Sequence, residues 1–375
     1  MEHYLDNSAT TVTSRKAAER AMEVMTDVYG NPSSLHEMGR QAEHVLRGAR
    51  ASVASQLGAA DEEITFVSGG TEANNLALFG AAYARVRSGK HIVISAVEHS
   101  SVMEAAGRLK DEGFTVTAVT PRADGKVHPD DVAQAVNAQT TLVSVMTVNN
   151  ESGAVMPVAD IFDRVRERSS RVICHTDAVQ AFGKLRLKVR ALKADCVSVS
   201  AHKVHAPKGC GAIYVKKGVR LLPRQYGGEQ ENKLRPGTEA LPLIAAFGTA
   251  CDEFDIENNY RFIKELHAYA KEQLAQIEGI RFNSPDDALP YVLNFSAGRV
   301  RSETMLHFLE ERGVYVSSGS ACAKGKPSHV LNAMGLSRER ADSALRVSFS
   351  KYNTTNDIDA LCEGIALGLK VLRHR

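Results

Sequence analysis

Between residues 60 and 215 the chain alternates two hydrophobic periods. Short runs rich in β-branched residues at 64–67, 91–95, 115–119, 142–148, 172–175, 196–200 and 212–215 predict strands. Between most of them lie stretches with apolar residues three and four apart, at 72–85, 102–111 and 159–168, which predict amphipathic helices. This is the βαβ rhythm of an α/β fold with a doubly wound, mostly parallel sheet covered on both faces. Past residue 220 the rhythm stops. Pro223, Gly227-Gly228 and Pro236-Gly237 precede a long helical region at about 240–278. A strand-like 292–295, a helix near 302–312, a Ser/Gly-rich stretch at 317–320 and a terminal helix from about Asn356 predict a second, smaller unit. The domain boundary is expected near residue 262.

At 375 residues the chain exceeds the usual size of a single domain. Its 43% apolar and 24% charged residues, with a formal charge of +2, describe a globular protein rather than a disordered or membrane chain. Acidic and basic residues are interleaved, so no direct nucleic-acid partner is expected. No run is long and apolar enough to span a bilayer, and residues 1–6 carry no basic stretch leading into an apolar one, so a cytoplasmic protein is expected. The six cysteines, 174, 196, 210, 251, 322 and 362, are scattered without a Cys-x-x-Cys pair, which disfavours a disulfide framework or a zinc site.

Ligands of an open parallel sheet sit beyond the carboxyl ends of its strands, so the polar residues that follow the predicted strands carry the chemistry. After the first comes Ser68-Gly69-Gly70-Thr71-Glu72, opening a helical pattern. Free N–H groups and the positive end of a helix dipole suit a phosphate there; the segment reads equally as a Thr71 N-cap on a tight turn. It matches neither a Walker loop nor a Gly-x-Gly-x-x-Gly fingerprint, which disfavours ATP and NAD. Asp177 and Gln180 follow another strand, where a buried carboxylate requires a cationic partner such as a protonated pyridine nitrogen. Lys203 follows a third, in Ser200-Ala201-His202-Lys203. A lone lysine is usually a solvated surface group. In the company of a phosphate turn and an aspartate, it completes the set needed to hold pyridoxal phosphate.

The chain resembles the cysteine desulfurases of the NifS/IscS type, in the class V aminotransferase group of fold-type I pyridoxal-phosphate enzymes. The matching segments are Gly30-Asn31-Pro32-Ser33-Ser34, Ser68-Gly69-Gly70-Thr71-Glu72, Glu98-His99, Val148-Asn149-Asn150-Glu151, Asp177-Ala178-Val179-Gln180, His202-Lys203 and Ser317-Ser318-Gly319-Ser320-Ala321-Cys322. The resemblance implies a seven-stranded large cofactor domain at 14–262 and a small α+β domain of 1–13 and 263–375, with a catalytic cysteine loop at about 317–328. It implies that Lys203 holds pyridoxal 5'-phosphate as a Schiff base and shuttles protons, that Asp177 pairs with the ring nitrogen, and that His99 stacks on the ring and takes part in acid–base steps. The phosphate would lie against Gly70, Thr71, Ser200 and His202, and against Thr238 from the other subunit of a homodimer. Gln180 and Asn150 would lie near the ring hydroxyl, and Arg346, with Asn150 and Asn7, would bind the substrate, L-cysteine, Arg346 clamping its carboxylate. The implied reaction yields L-alanine and a persulfide on Cys322, passed to a sulfur-acceptor protein for iron–sulfur cluster assembly or tRNA or cofactor thiolation. No resident metal is implied, although Cys322 can ligate an iron–sulfur cluster transiently.

Cys322 also stands out on local grounds. Cys174, Cys196 and Cys362 lie in apolar contexts, where a buried thiol is inert, whereas Cys322 sits in a Ser/Gly-rich segment followed by Lys324 and Lys326. Three departures from the family pattern matter. Ala201 and Ala206 stand where glycines are usual and would strain any position needing positive φ. Pro236 stands where the family has serine. The distance from Cys322 to Pro327 is about two residues shorter than in the housekeeping type, which would trim the reach by ~7 Å. Selenocysteine lysis, another class V reaction and an inactive scaffold are the competing functions; the intact Lys203, Asp177, His99, Arg346 and Cys322 disfavour the scaffold.

Overall fold

In the computed structural model, which describes residues 2–298, 300–318 and 328–372, the predicted strands assemble into one large sheet. The strands are β1 (His3–Tyr4), β2 (Ile64–Val67), β3 (His91–Ser95), β4 (Thr115–Val119), β5 (Thr140–Ser144), β6 (Ile173–Asp177), β7 (Cys196–Ser200), β8 (Gly211–Val215), β9 (Ile280–Phe282), β10 (Val292–Ala297), β11 (Val314–Tyr315), β12 (Ser317–Ser318) and β13 (Ala344–Ser348). The seven-stranded sheet runs β2-β8-β7-β6-β5-β3-β4, with β8 antiparallel to both neighbours and the other pairs parallel. The central strands β3, β5, β6 and β7 are buried at every position, as helices on both faces require, while β4 at the edge is largely open.

The predicted strand at 142–148 is corrected to Thr140–Ser144. Residues 145–148 are buried beyond the strand's end: the Val145 and Thr147 N–H groups still donate to the β6 carbonyls of His175 and Asp177, and Val148 bridges to Val155. The helical region 240–278 is two helices, Leu241–Asp252 and Ile256–Ala275. Asp255 breaks it by accepting the Asn258 N–H as an N-cap, while Phe254 turns in to pack edge-on against Phe182 at 5.4 Å.

The helix Gly70–Ala84 is apolar nearly all round because it packs under β5 to β8, and Asn74 is the polar exception inside it. A four-stranded antiparallel sheet, β12-β13-β10-β9, sets Arg346 opposite Asn294 on one side and Ser317 on the other. The N-terminal segment joins this second unit: β1 pairs with β11, and Asp6 bridges to Ser348.

Neither Ala201 nor Ala206 has a positive φ, so the condition under which an alanine would strain these positions does not arise. The left-handed position in that turn is His205, at φ 64°. Of the cysteines, 174, 196, 210 and 251 are buried and 362 half-buried; burial pushes Cys174 and Cys210 up to about 12. Among the described residues no helix is long and apolar enough to cross a membrane, and no cluster of His, Cys, Asp and Glu could hold a metal ion.

Candidate active site

Asp177 closes β6, and its backbone pairing leaves the carboxylate at the strand's carboxyl end, buried. Oδ1 accepts the Val179 N–H at 2.9 Å, and Oδ2 accepts from Asn74 Nδ2 at 2.7 Å. Both donors are neutral, and among the described residues no Lys or Arg forms an ion pair with it. Asn74 Nδ2 also donates to Ser101 Oγ at 2.9 Å, and Ser101 Oγ meets His99 Nδ1 at 2.8 Å, so hydrogen bonds run unbroken from Asp177 to His99.

His99 is the N-cap of the helix Ser100–Asp111, and its Nδ1 accepts the Ser101 N–H at 3.1 Å. A backbone N–H can only donate, so Nδ1 is the acceptor and the neutral ring carries its proton on Nε2. Burial pushes the His99 pKa down, helped by the nearby charges of Lys203 and His329 and opposed by Asp177. Next to it, Glu98 is fully buried. Its Oε1 accepts from Ser95 Oγ and the Met146 N–H, its Oε2 has no partner, and burial pushes its carboxyl up to about 8. At neutral pH Glu98 is therefore mainly uncharged.

The helix Gly70–Ala84 starts without a side-chain cap. Facing that open end is Ser200 at the end of β7, whose buried Oγ has no hydrogen-bond partner among the described residues. The approach is close: a Cβ on Gly70 would lie 2.8 Å from Val179 Cγ2 and 3.6 Å from Ser200 Cβ. Thr71, exposed, stands in the first turn, and Glu72 pairs with Arg235 at 3.0 Å. His202 Nδ1 reaches Thr10 Oγ1 at 3.2 Å, and burial, with the charges of Lys203, Lys208 and Lys184, holds it down to about 4.

Lys203 ends the short turn Ala201–Lys203 that follows β7. Its Nζ donates to the carbonyls of Ser8 at 2.5 Å and Ala9 at 2.7 Å. Gln180 Nε2 donates to the same Ser8 carbonyl at 3.0 Å. Arg346 is buried; its Nη2 pairs with Asp6 at 2.7 Å and Nη1 donates to the Asn150 carbonyl at 3.0 Å, while Nε has no partner. Asn150 is presented by a turn that Asn149 Oδ1 ties by accepting the N–H groups of Glu151 and Ser152. Asn7 spends its Nδ2 on the Ser348 carbonyl at 2.8 Å and Asn353 Oδ1 at 3.1 Å. Thr238 is exposed, after Gly237 at φ 109°, and forms no hydrogen bond to the Gly70 turn among the described residues. Cys322 lies outside the described residues; the chain resumes at Ser328, whose hydroxyl donates to Glu151 Oε2 at 2.5 Å, with His329 Nε2 2.9 Å from the Glu98 carbonyl.

Gly70, Ser200, Asp177, His99 and Lys203 thus gather around the carboxyl ends of the central strands, and Arg346 of the second unit reaches the Asn150 carbonyl. Asn74, Ser101, Asp6 and the carbonyl of Ser8 complete these contacts, and sequence reasoning missed them. Ser101, two residues past His99, was the one readable signal, as a cap partner.

The model of the class V aminotransferase family matches residues 3–361. The chain is 38% identical to the cysteine desulfurase IscS of Methanosarcina thermophila, across 99% of this chain and 93% of that protein. It superposes on a NifS-like protein with a TM-score of 0.94 at 34% identity, covering 99% of this chain and 100% of the other. A second structure, described as SspA in complex with cysteine, gives a TM-score of 0.84 at 34% identity over 94% of this chain and all of its own. With full-length similarity in sequence and fold alike, the chain belongs to the class V aminotransferase family and, within it, to the NifS/IscS-type cysteine desulfurases.

Proposed function

We propose that this chain is a pyridoxal-phosphate-dependent cysteine desulfurase that converts L-cysteine to L-alanine and takes the sulfur onto Cys322 as a persulfide. The carrying observation is a set of polar groups at the carboxyl ends of the central strands. Among the described residues the buried Asp177 carboxylate has no Lys or Arg ion-pair partner, the buried Ser200 Oγ has no hydrogen-bond partner beside an uncapped helix start, and Lys203 follows Ser200 in the next turn. A protonated pyridine nitrogen and a phosphate answer the first two, and an aldehyde is the group that a lysine amine captures. Gly70, Thr71, Ser200 and His202 would hold the phosphate, Thr238 of a second copy would add to it, and Gln180 and Asn150 would contact the ring hydroxyl.

When bound, pyridoxal phosphate supplies an electron-withdrawing ring joined to the substrate nitrogen. Arg346 binds the substrate carboxylate, and its unpartnered Nε supports that role. Lys203 Nζ would move the proton at the substrate α-carbon, and His99 Nε2, neutral through burial, would give and take protons beside it. The Cys322 thiolate attacks the substrate sulfur. An S–S bond forms as the C–S bond breaks, the electron pair stays with carbon, and that carbon takes up a proton to become alanine.

The same proposal includes a homodimer, a cytoplasmic location and delivery of the sulfur to an acceptor protein. The division into 14–262 and 1–13 with 263–375 is supported by strand pairing, since β1 pairs with β11 and Asp6 bridges to Ser348. Purified protein given pyridoxal phosphate, L-cysteine and a reductant is expected to release sulfide and alanine in equal amounts. Cys322→Ala should lose sulfide release, and Lys203→Ala should lose both the activity and the visible absorbance of the bound cofactor. Full sulfide release by Cys322→Ala would overturn the proposal.

A further inference from the structure

Behind Lys203 lies a second buried lysine that the reaction as described does not use. Lys184 is only 6% exposed, and its Nζ donates to Gln180 Oε1 at 2.9 Å. No carboxylate pairs with it among the described residues. Its Nζ lies 5.7 Å from the centre of the Tyr291 ring, and it borders a cavity of about 40 Å³ with Thr11, Lys203, His205, Glu253 and Tyr291. Lys203 and Arg346 oppose its charge, Lys351 lines the same cavity, and Glu253 is already engaged by Ser14 Oγ.

Chemistry fixes the direction of this chain of contacts. An ammonium can only donate, so Gln180 must turn its carbonyl oxygen to Lys184. Its amide nitrogen then faces the other way, giving an N–H to the Ser8 carbonyl that also receives Lys203 Nζ, which sets the amide nitrogen beside Lys203.

We infer that Lys184 is a positioning residue that locks Gln180 with its amide donor toward the ring hydroxyl oxygen of the cofactor. This rests on the proposed roles of Lys203 and Gln180. A donor at that oxygen stabilises its negative charge, most when the adjacent Lys203 nitrogen has lost its proton. It therefore lowers the pH at which that proton leaves. Burial, with the charges of Lys203 and Arg346, holds the Lys184 pKa down to about 7, so the cation and its effect on Lys203 are strongest on the acid side of neutrality.

The test is a spectroscopic pH titration of the cofactor-loaded dimer, following the visible absorbance of the Lys203-bound group. Lys184→Met keeps the length and the apolar stem but cannot donate; Lys184→Arg keeps the donor and the charge. Lys184→Met is expected to raise the titration midpoint by about one pH unit, a tenfold change in the protonation constant. Lys184→Arg is expected to stay within about threefold of wild type on the same scale. A wild-type midpoint in Lys184→Met, or an equal shift in both variants, overturns the inference. Absence of the visible band from wild type, or its persistence in Lys203→Ala, overturns the reading beneath it instead.

Discussion

Single side chains here titrate far from their ordinary range because the sheet buries them, and the signs can be worked out. Glu98 has a folded pKa of about 8 against an ordinary 4.5, so its contribution to stability is complete below about 4.5 and is lost as pH rises through 8. Glu98→Gln keeps an oxygen acceptor for Ser95 and Met146 and cannot ionise. Its melting temperature relative to wild type is expected to be a few degrees higher at pH 9 than at pH 6, by calorimetry at both pH values. His202 and His175, held at about 4 and about 3, act in the opposite sense. Their contribution is present above the ordinary histidine value of 6.5 and is lost as pH falls from there toward the folded values. Ser200→Ala should raise the dissociation constant for pyridoxal phosphate about tenfold, the loss of one charge-assisted hydrogen bond. It should leave the melting temperature of the cofactor-free protein unchanged, because Oγ has no protein partner to lose. Fluorescence titration and thermal melts separate the two effects. Asp177 and Lys203 drew notice in the sequence as polar residues at strand ends, whereas His99 did so only through the family resemblance. The Ser8 and Ala9 carbonyls were not, since a backbone acceptor leaves no mark on residue identity.

Among the elements, buried parallel strands were the most legible because both faces are covered and the run reads as continuously apolar. That same signal misled at residues 145–148, where the chain is as buried as a strand but bends away to present Asn150. The two-residue β11 and β12 are too short to show a period in isolation. The turn at Gly69 depends on a tight crossing. A Cβ on Gly211 would meet the Gly69 Cα and the Val199 carbonyl, both at 2.7 Å, and neither is a flexible side-chain end. Gly211→Ala is therefore expected to cost about 1–3 kcal/mol by overpacking. It should weaken cofactor binding as well, because the Gly69 turn has to shift; a melt without cofactor and a cofactor titration would show both losses together.

At the scale of the molecule, the helix Arg15–Thr26 and the approach to the next helix expose Met22, Met25, Tyr29 and Leu35. A face of this kind suits a partner surface, in line with the proposed dimer. If Thr238 completes the phosphate site of the other copy, a preparation mixing Lys203→Ala chains with Thr238→Val chains should contain hybrid dimers with one intact site. Their desulfurase activity at limiting cofactor is expected to exceed that of either variant alone. The expected boundary at residue 262 falls inside the single helix Ile256–Ala275. A continuous helix crossing from one unit to the other carries no break in composition that a sequence could reveal.

The N-terminal strap has a consequence for how the enzyme is made. Residues 3–11 bring Ser8 and Ala9 to Lys203 and Asp6 to Arg346, yet β1 is held by β11 and Asp6 by Ser348. The strap's partners in the large unit, Gln180 and Lys203, precede its strand partners by more than a hundred positions in the sequence. As the chain is made, the strap can settle against the large sheet first, and the pairing of Asp6 with Arg346 is among the last contacts of the fold to form.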